Sequence, residues 1–385
     1  MKKKLTSILL AAAMTTAVLT GCGGETAQTS GETTQSSAPA ETTQAAAEGT
    51  EVAATEAAGE TADNSDIGTI YLVSKGFQHQ FWQAVYQGAN EAAAEYGVEI
   101  DFQGPDNESA YAQQVQMLNN AINNNPKVIG LAALDTESCL ASIETAQANG
   151  IPIVGFDSGV PGAPEGAIVA NASTDNYAAG ELAGEETYAL ISDTIANATD
   201  TVRIGVMSQD ATAESIVNRG SGFIDKIKSL IEADGKTVSV EGHDLWANPV
   251  DGANVIIEVV VPASVDASLS AIDAQNLLNK QDTICIYASN QFSGEGLING
   301  DANIGRLGND VVGVAFDSGA QIKAAVQEGK LAGAVTQDPV QIGYKTVELC
   351  VKAARGEEVS DVDTGCKWYT AENMEDPDIA PNLYD

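Results

Sequence analysis

Short apolar runs alternate with amphipathic stretches along the chain from Ile67 onward. The apolar runs have the length and composition of buried strands, and the stretches between them repeat apolar residues at helical spacing. Strands that are apolar on both faces and separated by helices are typical of parallel sheets covered on both sides. Two series of five strands predict two doubly wound α/β lobes rather than one long sheet. The first series covers residues 69–74, 98–102, 127–134, 151–156 and 167–171, and the second covers 202–207, 237–241, 283–288, 311–316 and 331–336.

One apolar run, at residues 255–262, interrupts this alternation. It precedes a predicted helix at 266–279, and we expect it to form an extra edge strand of the second sheet. The pattern assigns it no function. The other long amphipathic stretches predict helices at 81–96, 110–124, 175–195 and 213–233.

The first 22 residues have the pattern of a bacterial lipoprotein signal. Lysines at positions 2–4 precede an apolar stretch at 5–20, which is too short and too rich in Thr to remain as a membrane-spanning helix. Leu19-Thr20-Gly21-Cys22 resembles a lipobox, so we predict a signal peptide at 1–21 and lipidation of Cys22. A plain cleaved signal with an incidental cysteine is the alternative. The mature protein is therefore expected outside the cytoplasm, lipid-anchored to the cell membrane by more than one acyl chain.

Residues 22–66 predict a disordered acidic tether. Beyond its first residue this segment has no aromatic residue, Lys or Arg, so it cannot bury enough apolar surface to offset its ordering entropy. The whole chain carries 18 basic and 54 acidic residues, a formal net charge of −36. Such a surface repels nucleic-acid phosphates and anionic lipids. We expect no nucleic-acid partner, and membrane contact only through the anchor.

The residues of common catalytic and metal sites are scarce. The chain has two histidines, and it has no P-loop, no G-x-S-x-G and no G-x-G-x-x-G that opens a helix after a strand. We therefore expect no enzymatic activity, no cofactor and no metal. Cys139 and Cys285 lie in apolar stretches and are expected as buried thiols. The spacing of Cys350 and Cys366 leaves open whether they form a disulfide.

Two predicted strands end on the same four residues, Phe156-Asp157-Ser158-Gly159 and Phe316-Asp317-Ser318-Gly319. A buried strand ending on Asp delivers a carboxylate to the carboxyl-end edge of a parallel sheet, where ligands bind in open α/β folds. The alternative is a turn in which Asp or Ser caps the next helix. Capping fits the second motif, because a helical sequence begins at Ala320. It fails for the first, because Val160-Pro161-Gly162-Ala163-Pro164 cannot form a regular helix, so a ligand contact is expected of Asp157.

Seven landmarks occur in order along residues 67–367. They are the first strand running into Ser74-Lys75-Gly76-Phe77-Gln78-His79-Gln80-Phe81-Trp82, the strand at 151–157, Ala172-Ser173-Thr174-Asp175-Asn176, Arg219-Gly220-Ser221-Gly222-Phe223, Ala288-Ser289-Asn290, the strand at 311–317, and Val335-Thr336-Gln337-Asp338-Pro339 with Gln341-Ile342-Gly343. Together they resemble the type I periplasmic-type solute-binding proteins, the family that includes ribose-binding and galactose-binding proteins.

The resemblance implies two doubly wound parallel-sheet lobes joined by a three-strand hinge. The first lobe would comprise residues 67–172 and 339–363, and the second 173–338 and 364–385. The implied function is a monomeric, lipid-anchored solute-binding protein that captures a monosaccharide or similar polyol between its lobes and hands it to an ABC permease. The alternative is the same fold acting as a sensor of a sugar or signalling molecule for a membrane receptor.

The resemblance also implies which side chains bind the ligand. Carboxylate, Arg and Asn side chains pair with adjacent sugar hydroxyls, and aromatic rings cover the apolar ring faces. Each candidate also has a structural alternative. Phe81 or Trp82 could belong to the core, Arg219 could be a solvated cation at a helix start, and Asn290 could be a turn residue. Trp246 is a further candidate wall. The predicted ligand-binding residues are His79, Phe81, Trp82 and Asp157 from the first lobe and Arg219, Asn290, Asp317 and Gln337 from the second.

Three departures separate the chain from the ribose binders. Ser158 stands where they have Arg after the first-lobe Asp, Gln291 where they usually have Asp, and Gln80 where they have Pro before the aromatic pair. These changes alter the hydrogen-bonding pattern, so ribose is not implied as the ligand. The sequence also lacks the Asp/Asn-rich calcium-binding loop of the galactose binders.

Overall fold

The structure, a computed structural model, describes residues 64–77 and 79–385. The predicted signal peptide, Cys22 and nearly all of the predicted tether lie outside the described residues. Asn64 already packs on the folded body, because its side-chain amide donates to the Tyr96 carbonyl at 2.6 Å and its Oδ1 accepts from Arg355. None of the described helices combines the length and the apolar character needed to cross a membrane.

The first sheet has six parallel strands, in the spatial order β12-β5-β4-β3-β1-β2. Its apolar strands are covered on both sides by buried side chains. Numbered in chain order, the strands are β1 (Thr69–Val73), β2 (Glu99–Gln103), β3 (Ile129–Leu131), β4 (Ile153–Phe156), β5 (Ile168–Ser173) and β12 (Val362–Asp363).

The second sheet has seven strands, in the order β13-β11-β10-β9-β6-β8-β7, and only the β11–β13 pair is antiparallel. The expectation that the run at 255–262 forms an edge strand is wrong: β8 lies between β6 and β7 and pairs with both. It buries Val255, Ile257 and Val259. The strands are β6 (Val202–Met207), β7 (Val238–Glu241), β8 (Val255–Val260), β9 (Thr283–Ala288), β10 (Val312–Phe316), β11 (Gly333–Gln337) and β13 (Cys366–Tyr369).

Nine helices within the described residues cover the two sheets. The chain passes between the sheets three times, from β5 to β6, from β11 to β12 and from β12 to β13, which confirms the predicted fold class of two lobes joined by three crossings. The helices are α1 (Gln80–Tyr96), α2 (Tyr111–Asn123), α3 (Leu140–Ala148), α4 (Asn176–Asn197), α5 (Glu214–Ala233), α6 (Ala267–Leu278), α7 (Gln291–Asp301), α8 (Ala320–Gln327) and α9 (Pro339–Ala354).

Glycines let α1 and α9 approach backbone to backbone. A Cβ atom at Gly88 would lie 1.8 Å from the Val340 carbonyl oxygen, and one at Gly343 would lie 1.9 Å from that of Val85. Since α9 lies between β11 and β12, on the second crossing between the sheets, this contact holds the returning chain against the first lobe.

The four described cysteines are free thiols. Cys350 lies in the core of the first lobe and Cys366 packs against the core of the second. The two are therefore not a disulfide pair, because the helix and the strand that carry them belong to different lobes. Cys139 and Cys285 are buried, as predicted.

Candidate functional site

The carboxyl ends of strands from both sheets converge on one small cavity of about 20 Å³. All eight sequence-predicted ligand residues line it. Every lining side chain except that of His79 is buried, so the lobes enclose a charged interior with little free space. Its lining is Lys75, His79, Phe81, Trp82, Glu108, Asp157, Ile216, Arg219, Asn290, Gln291, Asp317 and Gln337.

The Asp residues of the twin Phe-Asp-Ser-Gly motifs adopt similar backbone conformations. Asp157 and Asp317 have φ angles of 58° and 74°, in the left-handed region that few residues other than Gly, Asn and Asp enter. Their backbone N–H groups donate to Ala172 at 3.0 Å and to Val335 at 2.7 Å, each on the neighbouring strand. The reversal at each strand end turns the Asp side chain into the cavity.

The expectation that Asp317 or Ser318 caps the following helix is wrong. The N-cap of α8 is Gly319, and no side chain caps it. Asp317 instead accepts from the Gln337 side chain at 2.6 Å and from the Gln291 backbone N–H, at the start of α7, at 2.9 Å. Its carboxylate is therefore committed to the cavity wall.

Lys75 neutralises Asp157. It follows β1, and its Nζ lies 2.9 Å from Asp157 Oδ2, a charge contact without hydrogen-bond alignment at that oxygen. The ammonium also donates to the Ser215 hydroxyl of α5, in the other lobe, at 3.1 Å. Burial alone lowers the pKa of Lys75, but the charges of Asp157 and Glu108 outweigh it and raise the pKa above its ordinary value. Lys75 is therefore a cation at neutral pH.

Arg219 plays the corresponding part for Asp317. Its Nη1 lies 3.6 Å from Asp317 Oδ2, its Nε donates to Asn176 Oδ1 at 2.8 Å, and its guanidinium lies 4.1 Å from the centroid of the Phe316 ring. Burial raises the pKa of Asp317, while the charge of Arg219 acts against that rise. The alternative of a solvated helix-start cation does not hold for Arg219, because its side chain is buried.

Glu108 is the third carboxylate of the cavity. It lies in the loop between β2 and α2, where Oε1 accepts from the Trp82 indole at 2.9 Å and Oε2 accepts from the Gln209 amide of the other lobe at 2.9 Å. His79 Nε2 lies 3.9 Å from Oε1. Burial raises the pKa of Glu108, but the electrostatic effect of His79 and then of Lys75 outweighs it, so the pKa is lowered.

Amide side chains connect these charged groups across the cavity. Asn290 caps α7 by accepting from the Ser293 N–H at 3.0 Å, and its amide donates to Gln209 at 2.7 Å. It is thus both a helix cap and a cavity residue. Gln337, at the end of β11, accepts from Thr174 at 3.1 Å beside the crossing from the first lobe.

Aromatic rings form the apolar wall of the cavity. Phe81 and Trp82, at the start of α1, meet edge to face with ring centroids 5.0 Å apart, and Trp82 also meets Phe156 at 6.3 Å. Both rings line the cavity and both belong to a buried apolar cluster, so their structural and ligand-facing roles coexist. Trp246, the further candidate, does not line the cavity. Its indole packs over Gly220 and donates to Ser221 at 3.0 Å.

Sequence reasoning missed four lining residues. Lys75 had a usable signal, because a cation directly after a buried strand needs a partner. Gln291 was noticed only as a departure from the ribose binders, and Ile216 looks like any core position of α5. Glu108 has no sequence signal, since its polar loop gives no indication of which side chain is buried.

A larger depression of about 440 Å³ lies beside the crossings between the lobes, lined by Asn171, Asp175, Glu214 and Asp361 among others. Most of its lining residues are partly or fully exposed. Of the two, the small cavity is the better candidate site, because it combines buried charges from both lobes with aromatic walls and the depression does not.

The sequence matches the family described as "Periplasmic binding protein domain" over residues 70–358. The D-allose-binding periplasmic protein of Escherichia coli is 24% identical over 297 residues, which cover 76% of this chain and 86% of that protein. Among solved structures, an "ABC transporter, LacI family transcriptional regulator" from Brachyspira murdochii is 34% identical with a TM-score of 0.71, covering 83% of this chain and all of that one. An ABC transporter solute-binding protein from Agrobacterium vitis with bound D-fucose is 28% identical with a TM-score of 0.70, and the match covers 82% of this chain and 100% of that one.

Proposed function

This chain belongs to the periplasmic binding protein domain family, and we propose that it captures a monosaccharide or similar polyol between its lobes and delivers it to an ABC permease. The observation that carries the proposal is the buried cavity, where two aromatic rings and three carboxylates meet Arg219, Asn290 and Gln337. A sugar presents adjacent hydroxyls on a ring with apolar faces, and such a wall complements both. The names of the relatives support a carbohydrate, since they include an allose-binding protein and a fucose complex.

We propose that the lobes are residues 67–172 with 339–363 and residues 173–338 with 364–385, and that they move as units about the three crossings. The cavity of about 20 Å³ has room for roughly one water molecule. A sugar can therefore enter only when the lobes separate, as hinge closure in binding proteins requires. Contacts such as Lys75 to Ser215 and Glu108 to Gln209 form only when the lobes meet.

We also propose that Cys22 is lipidated and holds a monomeric, non-enzymatic receptor at the outer face of the cell membrane. Intact-mass measurement of the membrane-extracted protein tests this step. Loss of residues 1–21 with added acyl mass on Cys22 is the expected result. A Cys22→Ala variant should lack the added acyl mass.

A thermal-shift screen of the purified protein against pentoses, hexoses and cyclic polyols tests the binding proposal. A ligand present at 100 times its dissociation constant stabilises the folded state by about 2.7 kcal/mol. An Asp157→Asn, Asn290→Ala double variant should lose the shift, while Glu165→Gln, at an exposed position, should keep it. If no carbohydrate raises the melting temperature, the sugar assignment is wrong.

A further inference from the structure

The charges that line the cavity are unequally partnered. Two of its carboxylates have a cation of their own, since Lys75 lies 2.9 Å from Asp157 and Arg219 lies 3.6 Å from Asp317. Glu108 has no such partner: among the described residues, His79 at 3.9 Å is the one basic side chain within 4.0 Å of it. Leaving His79 aside, the lining carries three carboxylates, Glu108, Asp157 and Asp317, against the two cations Lys75 and Arg219.

The carboxylate oxygens of the wall keep capacity for further donors. Each oxygen of Glu108 accepts one hydrogen bond in the structure, from Trp82 and from Gln209, and each has a second lone-pair site. Asp157 Oδ2 is buried and accepts no aligned hydrogen bond. The site therefore offers acceptors to hydroxyl or ammonium donors, whereas the charge of each of its two cations is already opposed by a carboxylate, Asp157 or Asp317.

We propose that this cleft admits neutral and cationic carbohydrates, such as amino sugars, and rejects anionic ones, with Glu108 setting the preference. The inference rests on the proposed function and specifies the class of sugar. A sugar acid would bring a fourth carboxylate into the buried interior, where an ion without a partner is strongly disfavoured. An amino sugar would instead bring the cation that Glu108 lacks.

The test is isothermal titration calorimetry of the full chain at pH 7.0, where the amine of an amino sugar is still largely protonated and a free imidazole is largely neutral. The probes are matched series: D-glucose, D-glucosamine and D-glucuronate; D-galactose, D-galactosamine and D-galacturonate; D-ribose, 2-amino-2-deoxy-D-ribose and D-ribonate. In the series whose neutral member binds best, the amino sugar should bind within tenfold of that member. The acid should bind at least 100-fold more weakly.

Two variants should shift this preference in opposite directions. Glu108→Gln keeps the shape and hydrogen-bonding capacity but removes the charge, so the ratio of amino-sugar to neutral-sugar affinity should fall at least fivefold. Lys75→Met leaves Asp157 without its cation, so the same ratio should rise. The matched control Glu165→Gln removes an exposed carboxylate and should leave the ratio unchanged. A purely structural role of either residue would weaken all three ligands alike.

Two results would overturn the inference: an acid that binds as well as its neutral parent, or an unchanged affinity ratio in Glu108→Gln while the neutral sugar still binds. If Lys75→Met does not fold, the comparison of Glu108→Gln with the wild-type chain is sufficient to test the inference. Failure of every carbohydrate to bind the wild-type chain would instead refute the proposed function, and the charge preference with it.

Discussion

Replacement of Arg219 by Met tests whether the cavity depends on its paired charges. The guanidinium is buried, lies 3.6 Å from Asp317 and stacks 4.1 Å from the Phe316 ring. Arg219→Met keeps apolar bulk but leaves Asp317 without a cation. Two unit charges at this separation interact by about 5 kcal/mol at an effective dielectric constant of 20. Removal of one partner of a buried pair costs about 3–5 kcal/mol, so both estimates predict a loss of that size at pH 7.

The loss of stability in Arg219→Met should depend on pH, and the titration of Asp317 determines whether the loss grows or shrinks as pH rises. Burial already raises the pKa of this carboxyl, and Arg219 opposes the rise, so the pKa climbs further in the variant. A native state with a raised carboxyl pKa binds the proton more tightly than the unfolded chain does. The variant therefore loses stability as pH rises from the ordinary pKa of an Asp carboxyl towards the raised pKa of Asp317 in the folded variant. Its deficit relative to wild type should be largest at pH 7 and smaller at pH 5.

Urea denaturation followed by circular dichroism at pH 7 and pH 5 measures both effects. Arg219→Lys retains the charge but loses the planar stacking and the fixed Nε geometry, so its loss should be intermediate. Lys330→Met removes a cation at the surface and should leave the free energy of unfolding unchanged. The electrostatic reasoning fails if Arg219→Met costs less than about 1 kcal/mol or costs the same at both pH values.

Three further predictions concern packing and thiols. Gly343→Ala places a Cβ atom 1.9 Å from the Val85 carbonyl oxygen, so it should lower the free energy of unfolding, measured by urea denaturation, by about 1–3 kcal/mol. The control is Gln341→Ala, at an exposed position of the same helix, which should have a free energy of unfolding within about 0.5 kcal/mol of the wild-type value. Cys350 and Cys366 should both take up an alkylating reagent in denaturant without reductant, and an unlabelled pair by mass spectrometry would contradict the separate placement of these thiols. In the native protein Cys366 should react slowly at pH 7.5, because burial raises its pKa to about 11.

Most of the fold was predictable because its strands are continuously apolar. The predicted strands at 202–207 and 283–288 coincide with β6 and β9, since a run buried on both faces has clear ends. β12 and β13 were not predicted. They are short, and their pairing with β5 and β11 depends on where the returning chain lies. The position of β8 was missed because an apolar run carries no information about its neighbours in a sheet.

The residues of the candidate site also fall into those that the sequence could predict and those that it could not. Asp157, Asn290, Asp317 and Gln337 were predictable, because each lies at or just after a strand end, and parallel topology fixes where strand ends lie. Glu108 was not predictable, because the polar loop between β2 and α2 determines its position, and its burial depends on contacts that the sequence does not reveal, such as that with Gln209. The residue to which we assign ligand preference is therefore the one that sequence reasoning could not reach.

The twin Phe-Asp-Ser-Gly motifs explain why this interior can hold so much charge. Both Asp residues take left-handed backbone angles and make the same backbone bond to the next strand, so the two lobes present their carboxylates by one mechanism. The cations that pair with the two carboxylates differ in position. Lys75 follows β1 in the same lobe as Asp157 and donates to Ser215 across the cleft. Arg219 lies on α5 in the same lobe as Asp317. Separation of the lobes therefore breaks a bond of the Lys75 ammonium but leaves the Arg219–Asp317 pair intact. The second lobe should keep its binding surface ordered when open, and the Lys75 side should rearrange as a ligand enters.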